Sequence, residues 1–279
     1  MMDSQTQHTT FDTMGLKEPL LREILAYGFE KPTLIQQKAI VPMCIGNNII
    51  VDAPSGTGKT ATFTIGLLQQ LDFSKDAYCQ AIILSPTKEL AKQTNTFVNN
   101  IGMNIGVKTH ICIGGTNIET DLEVLKKGVH VMIGTPGRIK DLLSCNTDDT
   151  KKIKMCIVDK YDTMLDRGFL EHIDYIINYH LSDKVNYHLS NKVQLCFFSS
   201  NPSEYNYCIK EILKITSGIT RRKIVLKRNR FNLEIDEYKH YLIHIVVKKE
   251  EVKDVKEVKD VKEVKDVKDV KDVKDVKVI

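Results

Sequence analysis

Short apolar runs alternate along this chain with segments of helical period, and this alternation is its strongest structural signal. The runs are rich in β-branched residues, as expected for strands that are buried on both faces of a sheet. The predicted strands occupy residues 49–51, 81–84, 107–113, 131–133, 155–158, 193–198 and 223–226, and helical segments between them include 19–27, 61–71, 88–100 and 138–143.

The alternation of strands and helices predicts an α/β fold in which an open parallel sheet carries helices on both faces. Parallel strands that are joined by right-handed helical crossovers bind ligands beyond the carboxyl ends of the strands. With 279 residues and 42% hydrophobic content, the chain has enough apolar sequence for one such domain. The loops that follow the strands are therefore the places to look for chemistry.

Two repeats lie outside this pattern. The octapeptide NYHLSDKV at 178–185 is followed by NYHLSNKV at 186–193, and we interpret the duplication as a surface insertion ahead of the next strand. From residue 251 the triplet E/D-V-K is repeated, and a period of three matches neither a strand nor a helix. We expect residues 1–10 and the low-complexity tail 251–279 to be disordered.

Charge and cysteine content narrow the class of protein only slightly. The net charge of +4 is too small to indicate nucleic-acid binding without supporting motifs. The seven cysteines show no C-x-x-C spacing, which is typical of reduced thiols and not of a zinc site. The polar N-terminus does not resemble a signal peptide and no run is long enough to span a bilayer, so the sequence predicts a soluble, cytoplasmic monomer.

The segment APSGTGKT at 53–60 directly follows the first apolar run and precedes a helical segment. This arrangement is typical of a P-loop, whose backbone N–H groups surround nucleotide phosphates. Gly56 and Gly58 allow the loop to curl, Lys59 places a charge on the β- and γ-phosphates, and the Thr60 hydroxyl is a ligand for Mg²⁺. The segment therefore predicts a nucleotide-binding protein.

The first half of this loop departs from the general P-loop pattern. Ala53 stands where the pattern has glycine, and Pro54 removes one N–H group, so the match is to a subclass. Ser55 and Thr57 complete the residues that we expect around the phosphates. The alternative, a flexible Gly/Ser/Thr loop with a chance Lys-Thr pair, is disfavoured by the flanking strand and helix.

Further short motifs occur in a definite order. They are GFEKPTLIQ at 28–36, SPTKEL at 85–90, GG at 114–115, TPGR at 135–138, VDKYD at 158–162 and SSN at 199–201. Together with the P-loop, this order resembles the first RecA-like domain of DEAD-box ATP-dependent RNA helicases, and is most similar to their translation-initiation-factor-4A branch. The resemblance implies a RecA-like ATP-binding domain over 11–222, an adenine-recognition segment near 11–39, and ATP and Mg²⁺ as cofactors.

The resemblance also implies roles for residues outside the P-loop. Phe29 would stack on adenine and Gln36 would hydrogen-bond its edge; otherwise they would be a core aromatic and a solvated helix residue. Positions that resemble RNA contacts would bind sugar and phosphate without reading bases. These positions are Pro86, Thr87, Lys88, Gly114, Gly115, Thr135, Pro136, Gly137 and Arg138. Taken alone, the two glycines of 114–115 indicate a turn, and Arg138 indicates a surface charge.

The motif that should hold the general base is altered. In the family pattern D-E-A-D the first Asp holds Mg²⁺ and the Glu activates water; here Asp159 keeps the metal position, but Lys160 and Tyr161 replace Glu and Ala. A protonated lysine cannot accept a proton, so we expect a loss of about 10²–10⁴-fold in hydrolysis. The alternative, a lysine deprotonated by burial, is opposed by the neighbouring carboxylates and phosphates.

Two further departures concern the coupling of ATP to RNA. Asp162 keeps the last carboxylate of the motif, which in the family bonds to an S-A-T motif, and Ser199 begins that motif here with one residue missing before Pro202. Residues 223–250 resemble the interdomain linker and the first strand of a second RecA-like domain, and the triplet repeat follows. The resemblance therefore predicts that the second domain and its arginine finger are absent, so a Lys160→Glu change should restore slow hydrolysis at most.

Three functions are compatible with these residues. The first is an RNA-stimulated ATPase that a second polypeptide completes in trans. The second is a non-catalytic module that binds ATP or RNA, or competes with helicases for translation-initiation or helicase partners. The third is the product of a decaying gene, which the duplication and the repeat suggest. We favour ATP and RNA binding with weak or no hydrolysis.

Overall fold

The computed structural model describes residues 8–73, 77–145, 152–181, 193–200 and 211–212, and the backbone of residues 240–244. Its strands form one seven-stranded parallel sheet with the order β3-β4-β2-β5-β6-β1-β7. They are β1 (Asn48–Asp52), β2 (Ala81–Leu84), β3 (Thr109–Cys112), β4 (Val131–Gly134), β5 (Met155–Asp159), β6 (Gln194–Ser199) and β7 (His240–His244).

The helices that connect these strands lie on both faces of the sheet. They are α1 (Glu18–Ala26), α2 (Leu34–Cys44), α3 (Lys59–Gln70), α4 (Lys88–Gly102), α5 (Ile118–Lys126), α6 (Pro136–Cys145), α7 (Tyr161–Asp166) and α8 (Leu170–Tyr175). Short 3-10 turns occur at Phe11–Met14 and Met103–Ile105, and a π-helical turn at Ile176–His180 follows α8. Among the described helices, none has the length and apolarity needed to cross a membrane.

Two apolar cores are enclosed between the sheet and its helices. One core lies under α1 to α4 and contains Ile83 and Phe198 from the strands. The other lies under α5 to α8 and contains Ile82 and Phe197. Because successive strand residues face opposite cores, a strand that is buried on both sides must be apolar at every position. This is the physical reason for the uninterrupted apolar runs of the sequence.

The predicted α/β class with an open parallel sheet is confirmed, and each predicted strand within the described ranges is present. The largest difference is at predicted strand 107–113, where β3 is limited to Thr109–Cys112 because Gly106 makes a left-handed turn just before it. The four named helical segments correspond to α1, α3, α4 and α6. The pattern does not single out α2, which carries Pro42 inside it, or α7 and α8, which have six residues each.

Several predictions concern residues outside the described ranges, namely 1–7, most of the second octapeptide, the strand at 223–226 and the tail 251–279. Strand β7 falls in the 223–250 segment, which the resemblance assigns to a linker and the start of a second domain. Its backbone pairs with β1, with His240 opposite Asn48 and His244 opposite Asp52. The domain boundary at residue 222 stays a prediction.

Candidate nucleotide and RNA site

The carboxyl ends of β1, β6 and β5 lie side by side because these three strands are neighbours in the sheet. The register places Asp52 opposite Ser199 and Asp159 opposite Phe198. The loop that follows β1 is the predicted P-loop, so its residues meet the altered D-K-Y-D motif at one edge of the sheet. This is the edge at which doubly wound folds bind ligands.

The P-loop curls through two glycines in the left-handed region, Gly56 at φ 83° and Gly58 at φ 99°. The hydroxyl of Thr57 donates to the carbonyl of Pro54 at 2.8 Å, which closes the turn. The ammonium of Lys59 donates to the carbonyls of Ala53 and Pro54, the latter at 2.7 Å. Lys59 is the first residue of α3, and its ammonium is thus held against the carbonyls at the start of the loop.

The segment predicted to recognise adenine is tied directly to the P-loop. The hydroxyl of Thr33 donates to the carbonyl of Thr57 at 2.9 Å, and the amide oxygen of Gln36 accepts from the backbone N–H of Thr33 at 2.8 Å. A methyl group added at Gly58 would lie 2.7 Å from Nε2 of Gln36. Gln36 is 1% exposed, so it is not a solvated helix residue. Its contact with adenine stays a prediction.

Phe29 lies in a group of aromatic rings beside this segment. Its ring is near-parallel to that of Tyr27 at 5.5 Å, and it meets Phe11 and Phe97 edge to face at 6.3 and 6.4 Å. Phe29 is half-buried and packs against the core, which agrees with the alternative of a core aromatic, and its stacking on adenine stays a prediction.

Charged side chains are concentrated where β5 ends. Burial raises the pKa of Asp159 to about 6, although the charges of Lys160 and Lys59 and a hydrogen bond from the backbone of Lys160 oppose this rise. Desolvation lowers the pKa of Lys59 to about 8, against the attraction of Asp159, Asp162 and Asp52 and with further lowering by Lys160. At neutral pH the P-loop lysine is therefore mainly a cation that faces buried carboxylates.

Lys160 has an unusual backbone conformation. At φ 52° and ψ 54° it lies in the left-handed region, and no other described residue apart from glycines has a positive φ. This conformation costs a non-glycine residue about 1–2 kcal/mol. It makes the abrupt turn between β5 and α7, whose first residue, Tyr161, is buried with its ring 5.3 Å from that of Phe197.

The predicted coupling residues form two separate contacts. The carboxylate of Asp162 accepts from the backbone N–H of Ser200 at 3.2 Å, and its other oxygen has no hydrogen-bond partner among the described residues. The Ser199 hydroxyl donates instead to Asp52 at 2.8 Å. The D-K-Y-D motif therefore contacts the S-S-N motif through the backbone N–H of Ser200 and not through the Ser199 side chain.

The ends of β2, β4 and β3 form the other half of the same edge. The register places Gly134 opposite both Leu84 and Cys112. The backbone N–H of Ser85 donates to the carbonyl of Gly134 at 2.8 Å, and that of Thr135 donates to the carbonyl of Cys112 at 3.1 Å. These contacts bring the three motifs that resemble RNA contacts together at neighbouring strand ends.

The residues of these motifs differ in exposure. Lys88 is exposed, and its ammonium would lie 3.2 Å from a methyl group added at Gly115, which has φ 94°. The Thr87 hydroxyl accepts from the N–H of Leu90 at 3.1 Å and so caps α4. Within the same motifs, Pro86 and Pro136 are buried, while Gly114, Gly115, Thr135 and Gly137 are half-buried or exposed.

Arg138 is not a solvated surface charge, since its side chain is 10% exposed. Its Nε donates to Oδ2 of Asp121 at 2.8 Å, and its Nη2 donates to the carbonyl and hydroxyl oxygens of Thr116 at 2.7 and 3.0 Å. The other oxygen of Asp121 lies 2.9 Å from Nε2 of His110. The arginine thus joins the T-P-G-R turn to the G-G turn.

Sequence reasoning missed four residues of this edge. Asp52 was detectable, because it is an acidic residue at the end of an apolar run directly before the P-loop. Thr33 forms the helix-capping pattern T-x-x-Q with Gln36, which marks a helix start but not a site. Thr116 and Asp121 carry no comparable local signal, and only their contacts identify them.

Comparisons with known proteins are consistent with this geometry. The family model described as DEAD/DEAH box helicase matches residues 33–208. The chain is 44% identical over 246 residues to Eukaryotic initiation factor 4A-1 of Arabidopsis thaliana, which is 88% of this chain and 55% of that protein. It is 42% identical over 236 residues to Eukaryotic initiation factor 4A of Zea mays, which is 85% of this chain and 54% of that protein.

Solved structures show the same similarity. A DEAD box protein from the hyperthermophile Methanococcus jannaschii superposes with a TM-score of 0.67 at 28% identity, over 86% of this chain and 56% of that chain. A hypothetical ATP-dependent RNA helicase from Sulfolobus tokodaii superposes with a TM-score of 0.60 at 25% identity, over 81% and 57%. The chain spans about half the length of the curated relatives that it matches.

Proposed function

This chain belongs to the DEAD/DEAH box helicase family, and from that membership we propose that its RecA-like domain binds ATP with Mg²⁺ and binds RNA, but hydrolyses ATP weakly or not at all. The observation that carries the proposal is a lysine, Lys160, between Asp159 and the rest of the motif, where the family has its general base. Because the matched segment covers only 55% of Eukaryotic initiation factor 4A-1, the proposal concerns binding by this domain and not the whole activity of the relatives.

The P-loop supports the nucleotide part of the proposal. Lys59 is held within the loop near three carboxylates, and the left-handed glycines give the loop a curl of the kind in which backbone N–H groups bind phosphate. The donor set fits Mg²⁺, because Thr60 supplies a hydroxyl oxygen and Asp159 a carboxylate that burial leaves poorly solvated. Phosphate oxygens and water would complete the ligands of the ion.

The charge distribution around Asp159 supports slow hydrolysis. General-base catalysis requires an acceptor for the proton of the attacking water, and the side chain at position 160 is an ammonium donor. Its charge acts on both Asp159 and Lys59, so it lies close enough to the pocket to influence a bound triphosphate. Attraction to the phosphates and loss of the base together favour binding over turnover.

The other half of the edge supports RNA binding. The exposed Lys88, the turn at Gly115 and the Arg138 guanidinium lie at neighbouring strand ends, and each offers groups suited to phosphate or ribose. None of these groups distinguishes one base from another, so we propose that binding is independent of sequence.

A direct test compares binding and chemistry in the same preparations. A fluorescent ATP analogue with Mg²⁺ is titrated into the protein and its Lys59→Ala variant, with GTP as a competitor. We expect saturable, adenine-selective binding that the variant loses. Absence of binding by the unaltered protein would contradict the nucleotide proposal and favour the product of a decaying gene.

The second arm measures single-turnover hydrolysis with RNA present for the unaltered protein, Lys160→Glu and Lys160→Gln. We expect Lys160→Glu to hydrolyse faster than the unaltered protein by up to about 10²-fold while turnover stays slow, because it restores a proton acceptor, and Lys160→Gln to gain nothing, because it only removes the charge. Equal rates for all three proteins would show that position 160 does not limit hydrolysis.

A further inference from the structure

Arg138 is fixed at two of its three nitrogen atoms. Nε donates to Asp121, and both acceptors of Nη2 belong to Thr116. Nη1 makes no hydrogen bond within the part of the chain that the structure describes. A guanidinium is planar, so two anchored nitrogens determine the direction in which the third presents its two N–H groups.

Asp121 is itself held in place. It lies on α5 with its side chain 5% exposed, and its two oxygens are divided between His110 on β3 and Arg138 on α6. A carboxylate that is shared in this way cannot rotate without losing one of its partners. The orientation of Arg138 is therefore determined by Asp121, which His110 in turn holds from β3.

We propose that Asp121 is a positioning residue for RNA binding, which together with Thr116 holds Arg138 so that its Nη1 edge faces an RNA phosphate. This inference rests on the proposed RNA-binding function. Asp121 itself would not touch the RNA but would act through Arg138. A guanidinium that is already oriented loses less conformational freedom when it binds phosphate, so its contact contributes more to affinity.

When the Asp121 carboxylate is removed, the positioning role and simple electrostatics predict opposite changes in RNA affinity. Removing an acidic charge from a phosphate-binding surface should strengthen RNA binding if charge alone matters. If Asp121 positions Arg138, its removal should weaken binding even though the net charge becomes more positive. The sign of the change thus separates the two roles.

The experiment measures binding of the full chain to a fluorescein-labelled oligouridine by anisotropy, over a series of salt concentrations. We expect Asp121→Asn to weaken binding by about tenfold, as for the loss of one well-formed charged contact. The slope of log affinity against log salt should fall by about 0.7, the value for one phosphate of a single strand. Arg138→Gln should give the same loss, and the double variant should lose no more.

Two further variants control for charge and folding. Glu123→Gln makes the same change of charge at an exposed position of α5 and should not weaken binding. Asp121→Glu keeps the charge but displaces the carboxylate by one methylene, so it should weaken binding at unchanged net charge, and it replaces Asp121→Asn if that variant does not fold. Thermal melts establish that each variant is folded.

The outcomes separate the two proposals. Weaker binding by Asp121→Asn or Asp121→Glu, with Glu123→Gln unaffected, supports the positioning role. Unchanged or tighter binding by folded Asp121 variants, while Arg138→Gln is weakened, overturns that role and leaves RNA binding intact. If the unaltered protein does not bind the oligouridine, the proposed RNA function fails and the inference fails with it.

Discussion

The hydroxyl of Ser199 donates a hydrogen bond of 2.8 Å to the carboxylate of Asp52, and both residues are buried where β6 and β1 end. The backbone N–H of Ala53 also donates to the carbonyl of Ser199, at 3.3 Å. The end of β6 is thus attached to Asp52 through a side-chain contact and to Ala53, the first residue of the P-loop, through a backbone contact. The S-S-N motif therefore supports the base of the nucleotide loop.

Replacing Ser199 by alanine should lower the free energy of unfolding by about 1–3 kcal/mol, because a buried carboxylate loses one of its donors. Urea denaturation followed by circular dichroism measures the change. Thr96→Ala is a suitable control, since that residue is exposed and its hydroxyl donates within its own helix to the carbonyl of Lys92 at 3.1 Å. The control should change stability by less than about 0.5 kcal/mol. A Ser199 variant that is as stable as the control would show that the contact is not stabilising.

Gly58 should tolerate alanine less well than Gly56 does. Both glycines have positive φ, so alanine costs about 1–2 kcal/mol at either position. At Gly58 the added methyl group also meets Nε2 of Gln36 at 2.7 Å, whereas nothing lies within 4 Å at Gly56. We expect Gly58→Ala to be the less stable variant in thermal melts. Equal losses would indicate that Gln36 moves aside without cost.

Gly134 is required by close packing between β4 and β3. A methyl group at this position would overlap the carbonyl oxygen of Cys112, a backbone atom that cannot rotate away. Gly134→Ala should therefore cost about 1–3 kcal/mol or more and displace the turns that follow both strands. Chemical denaturation measures the cost. Gly114→Ala has open space and should leave stability nearly unchanged, so a similar loss for both variants would contradict this explanation.

His130 should make the protein less stable in mild acid. Burial is the main cause that lowers its pKa below the ordinary value of 6.5, the charge of Lys108 lowers it further, and Asp72 opposes them. Because the unfolded chain binds the proton more readily, this contribution to stability is complete above about pH 6.5 and is lost as the pH falls toward the folded pKa. His130→Gln should therefore flatten the dependence of unfolding free energy on pH in this range.

The matched comparison is His180, whose pKa is also lowered by burial. His180→Gln should also flatten the dependence of the unfolding free energy on pH. The double variant should show a flatter dependence than either single variant. His130 also accepts a hydrogen bond from the backbone N–H of Lys108 at 3.0 Å. Glutamine retains an acceptor for this N–H in its amide oxygen. An unaltered slope below pH 6.5 in the His130 variant would exclude the proposed linkage.

Local patterns predicted much of the fold and part of the site. Strands such as Ala81–Leu84 were identified at their observed bounds, because burial on both faces requires an apolar residue at every position. The P-loop was identified because its glycines, Lys59 and Thr60 are consecutive in the chain. The helix α2 was not singled out, since it is buried on several sides and carries Pro42, which weakens the periodic signal.

The amino-acid sequence by itself determined the order of strands and helices, the curl of the phosphate loop and the presence of a lysine where the family has its base. Each of these depends on residues that are close together in the chain. Tertiary structure alone decided that Ser199 bonds to Asp52, 147 positions away, and that Asp121 anchors Arg138 from another helix. Such contacts depend on which strand ends become neighbours in the sheet, and that order is set by packing of the whole domain rather than by local preference.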